Sequence, residues 1–90
     1  MDGFNKAIMV VMDMIKNVDK RLDELKEQFG KTDEKNIYEQ SYREFLTDSF
    51  DRNFNRRLTL WDVKRTLEAE MKAEIAKDFA KGMEGKDENN

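Results

Sequence analysis

An all-α fold of three helices, arranged as an oligomeric helical bundle, is what this 90-residue chain predicts, and three observations predict it. The chain has no proline and four glycines, and 41% of it is charged. Apolar residues in the first third recur at alternating spacings of three and four. Two later segments repeat their apolar residues at helical spacing between polar stretches.

The first helix, about residues 3–29, carries the clearest pattern. Phe4, Ile8, Val11, Ile15, Val18, Leu22, Leu25 and Phe29 form an unbroken heptad seam, the arrangement by which coiled-coil helices pair. Lys6, Asp13, Lys20 and Glu27 mark the opposite, solvated face. The two halves differ in their flanks. Arg21, Lys26 and Gln28 border the C-terminal half, whereas Ala7, Met12 and Met14, with Met9 and Val10 further out, make the N-terminal half apolar on nearly every side. That half is expected to be buried by several neighbours, and Gly30 is expected to close the helix in a left-handed cap.

Thr32 or Asp33 is suited to cap a second helix over about 33–50, with Tyr38, Tyr42, Phe45, Leu46 and Phe50 on one face. Thr59 and Asp62 read as a capping box opening a third helix over about 60–81, and Leu60, Val63, Leu67, Met71, Ile75 and Phe79 are its large apolar residues. Ala69, Ala73, Ala76 and Ala80 supply a smooth strip, and Gly82 a stop. Residues 1–82 are then one helical domain, and 83–90, without apolar periodicity, a disordered tail.

Composition excludes several kinds of chemistry. With neither histidine nor cysteine, the chain lacks the commonest transition-metal ligand, the usual proton shuttle near neutral pH and any thiol nucleophile. Ser41 and Ser49 have no base nearby in sequence. A non-enzymatic protein without cofactor or small-molecule substrate is expected. The longest apolar run, residues 7–12, is far short of a bilayer span, and the N-terminus does not read as a signal peptide, so a cytoplasmic location away from membranes is expected.

The polar stretch Asp51 to Asp62 carries a second pattern. Asp51, Asn53, Asn55 and Asp62 stand at the first, third, fifth and twelfth positions, with Leu58 at the eighth. Over residues 42–67 this resembles a degenerate EF-hand, a helix–loop–helix in which oxygen ligands wrap a calcium ion. Arg56 stands where the family has glycine, and Asp62 where it has glutamate. The resemblance implies calcium as an alternative ligand of those four residues.

The same stretch opens a basic patch, Arg52, Arg56, Arg57, Lys64 and Arg65, inside a chain of net charge −3. Three readings stand for it: contact with an acidic protein surface, pairing within the chain, and nucleic-acid phosphate contact with Phe54 and Trp61 as stacking platforms. The reading that unites these features is a small adaptor or regulatory protein. It forms a homo-oligomer and binds another protein through Phe4, Ile8, Met9, Val11, Met12, Ile15, Val18, Leu22, Leu25 and Phe29. Calcium response and nucleic-acid binding are the alternatives.

Overall fold

The computed structural model describes residues 2 to 88, and their side chains as far as Met83. The fold is all-α, as expected, but it has two long helices where three were predicted. α1 spans Asp2–Gly30 and α2 spans Gln40–Glu88, joined through a single 3₁₀ turn at Ile37–Glu39. They form an antiparallel hairpin of 80 × 15 × 14 Å.

The second and third predicted helices are one. The polar connection between them is helical throughout, and the physical reason lies in what it lacks: no glycine or proline occurs between Gly30 and Gly82. Polar residues alone do not end a helix that packs on one side. Thr59, predicted as a cap, sits mid-helix and donates its hydroxyl to the Asn55 carbonyl one turn back at 3.1 Å. Thr47 and Thr66 do the same to Arg43 and Asp62. Threonine serves either role, and only the continuing backbone decides which.

The ends also differ from expectation. Gly30 is the last residue of α1 and has no left-handed backbone. The helix instead tightens, with Lys31 and Thr32 amides donating to the Gln28 and Phe29 carbonyls and the Thr32 hydroxyl to the Phe29 carbonyl at 2.6 Å. Asn36, rather than Thr32 or Asp33, caps the 3₁₀ turn that leads into α2, accepting from the Tyr38 amide at 2.9 Å. Arg43 locks the turn, donating to Thr32 Oγ1 at 2.6 Å while its guanidinium lies 4.2 Å from the centre of the Phe29 ring. Helix α2 passes through Gly82, an interior helix position and not a stop, and its last described residue is Glu88. Asn89 and Asn90 lie outside the described residues.

The core is the interface between the two helices. Val11, Ile15, Val18, Leu22 and Leu25 of α1 and Leu46 of α2 are its buried apolar residues, joined by the buried Ser49. The seam predicted on the first helix therefore meets the chain's own second helix. On α2 the facing positions run Leu46, Phe50, Asn53, Arg57, Leu60, Lys64, Leu67 and Met71. Their spacing alternates four and three, the antiparallel counterpart of the α1 seam. The polar members help to set the register, because Arg57 crosses to Asp19 at 2.5 Å and rests over the Trp61 ring.

Candidate protein-interaction surface

Helical geometry determines how much of the hairpin stays uncovered. An α-helix paired with one neighbour buries about a third of its circumference, so a helix that is apolar more widely keeps hydrophobic surface in water. The N-terminal half of α1 is in that position. Met9 is 65% exposed, Val10 56%, Met12 51% and Met14 41%. The expectation that several neighbours cover this half is not met within the chain, since α2 covers only one side.

These side chains point to both flanks of the hairpin. On one flank a shallow groove is lined by Asp19 and Lys26 of α1 with Phe50, Phe54 and Arg57 of α2. Met12 lies one heptad before Asp19, and Trp61 one heptad after Phe54, so Met12, Met9 and Trp61 continue this flank. On the other flank Met14 and Arg21 face Asn53 and Arg56. Phe54, Leu58 and Val63 of α2 are also more than two-fifths exposed. The chain matches no protein-family model, no curated protein and no solved structure. The surface itself therefore carries the functional reading.

Other predicted sites fare differently. Asp51, Asn53, Asn55 and Asp62 lie on continuous α-helix, which puts Asp51 and Asp62 about 16 Å apart along the axis at 1.5 Å per residue. Ligands of one calcium ion must all come within about 2.6 Å of it. The helix does not bring these four residues together, and the loop that the EF-hand resemblance implies is absent from residues 51–62. Among the described residues no cluster of three or more acidic side chains is placed to hold a metal.

The basic patch is dispersed for the same reason. At about 100° per residue, Arg52 and Arg56 share one side of α2, Arg57 and Lys64 turn to the seam, and Arg65 lies on the far flank. Three of the five have carboxylate partners within the chain: Arg57 with Asp19, Lys64 with Glu68, and Arg65 with Asp62. Arg52 donates to Ser49 Oγ at 3.3 Å. The Lys64 ammonium beside Glu68, with Lys72 nearby, holds that carboxyl below the usual 4.5 of a glutamate.

Sequence reasoning missed the projecting end of α2. From Lys72 to Met83 every residue of this helix is exposed, because α1 has ended alongside. Ile75, Phe79 and Met83 project from it into solvent. Once α2 is continuous the reason is arithmetic: 29 residues of α1 cannot cover 49 residues of α2.

Proposed function

We propose that this protein is a non-enzymatic helical adaptor or regulatory protein that self-associates and binds another protein through the apolar flanks of its hairpin. One observation carries the reading: after the seam has been satisfied by α2, Met9, Val10, Met12 and Met14 remain 41–65% exposed on one half of one helix. Contiguous apolar surface on a small, highly charged chain costs solubility and marks contact with another macromolecule. Methionine suits such a surface, because its unbranched thioether adapts to partners of different shape. No described helix is long and apolar enough to cross a membrane, so these side chains are not a spanning segment.

A photo-reactive methionine analogue placed at position 12, in cells that produce the protein, tests the reading against the same probe at Lys20 on the exposed face. Adducts with a second copy and with a defined second protein, formed from position 12 and not from 20, are expected. Adduct yields that do not differ between the two positions contradict it.

A further inference from the structure

The projecting part of α2 and the flank of the hairpin match each other. Phe54, Leu58, Trp61, Ile75, Phe79 and Met83 fall within about 100° of arc on α2, on a face that adjoins one side of the seam. They form two apolar blocks on one face, 54–61 beside α1 and 75–83 beyond it. Between them on the same face stand Arg65, Glu68 and Lys72. Phe54 and Ile75 are 21 residues apart, as are Leu58 and Phe79, a spacing of three heptads that brings each residue back to within about 60° of the same side of the helix.

We infer that a second copy of this chain occupies this face. Its projecting segment lies antiparallel on the 54–61 block of the first copy, which does the same in return. The match is one of register. When Phe79 is set opposite Leu58 of the second copy, Met83 comes level with Phe54 and Ile75 falls one residue from Trp61, so the three pairs are centred on residues 68 to 69. A patch that is complementary to itself about one point is what a two-fold dimer requires. Met9 and Met12 border the receiving block and extend it toward the incoming Ile75.

The area agrees with that occupant. The exposed parts of these eight side chains amount to on the order of 800 Å² per copy, the upper bound on what this contact buries and comparable with one side of a standard stable interface. At the centre this register sets Arg65 level with Lys72 of the second copy, and the two Glu68 carboxylates between them offset part of that like-charge contact. The projecting segment also gains from the contact. Helical segments of about a dozen residues are marginal in water without tertiary packing. The inference rests on the self-association proposed above and gives it a location and an orientation.

The chain has no cysteine, which makes the register open to cross-linking. Leu58 and Phe79 are about 31 Å apart along one helix, so a Leu58→Cys, Phe79→Cys double variant is unable to close a disulfide within one hairpin. Under mild oxidation it is expected to become a covalent dimer, while each single variant stays uncrosslinked at the same concentration. Phe79→Asp lies where α2 touches nothing else in the chain, so it is expected to keep the hairpin's melting behaviour and to weaken dimerisation at least tenfold. If the wild type is dimeric but neither the cross-link nor the Phe79→Asp effect appears, this interface is wrong and self-association stands. If the wild type is monomeric at every concentration, both fail.

Discussion

Leu25 and Leu46, at 1% and 2% exposure, are the most deeply buried side chains of the hairpin and sit near its turn. Truncating Leu25 to alanine leaves a cavity that two rigid helices fill poorly, and it is expected to cost about 2–5 kcal/mol in urea unfolding at fixed protein concentration. A charged residue of α2 offers a finer test. The Glu68 carboxyl accepts from Lys64, and this lowers its pKa in the folded chain below the usual 4.5. Any stability from this pair is thus present above the unfolded value and lost as pH falls through the folded one. Carbon-13 titration is expected to place the Glu68 midpoint below 4.5 and to move it upward in Lys64→Met. An unmoved midpoint contradicts the pairing.

Among the elements, α1 was legible almost to the residue, because eight apolar positions in strict heptad register leave one conformation and one buried face. The second half was less legible. Thr59, Asp62 and the asparagines between 51 and 55 carry the same side chains at a helix start, in a calcium loop and on the wet side of an uninterrupted helix. Which role they play is decided by α2 packing on α1 at Leu46, Phe50, Asn53, Arg57 and Leu60, a non-local contact. The exposed apolar surface was legible in part: the methionines near residue 12 stood out by composition, whereas the projecting segment depended on knowing where α1 ends relative to α2. Continuity of α2 makes its own prediction. Thr59→Ala removes a backward hydroxyl bond from an exposed helix interior and is expected to change stability by no more than about 0.5 kcal/mol. Loss of a true helix cap costs about 1 kcal/mol. A loss of that size, measured by thermal unfolding, contradicts a continuous helix.

At the scale of the molecule, the chain separates two apolar surfaces that the sequence presents as one. The seam closes the hairpin on itself, and the outer methionines with the far end of α2 remain exposed. Substitutions in the two surfaces should behave differently. Ile15→Asp places a charge in the seam and is expected to melt the hairpin, while Met12→Asp places it on the free flank and leaves the fold intact. The most direct test is therefore the molar mass of Met12→Asp by light scattering, with helix content measured on the same sample. Wild-type helicity is predicted, together with a mass that falls from an oligomer to the 10.7 kDa of a single chain. A wild type already at 10.7 kDa, or a Met12→Asp variant that keeps the full oligomeric mass, contradicts a self-associating flank.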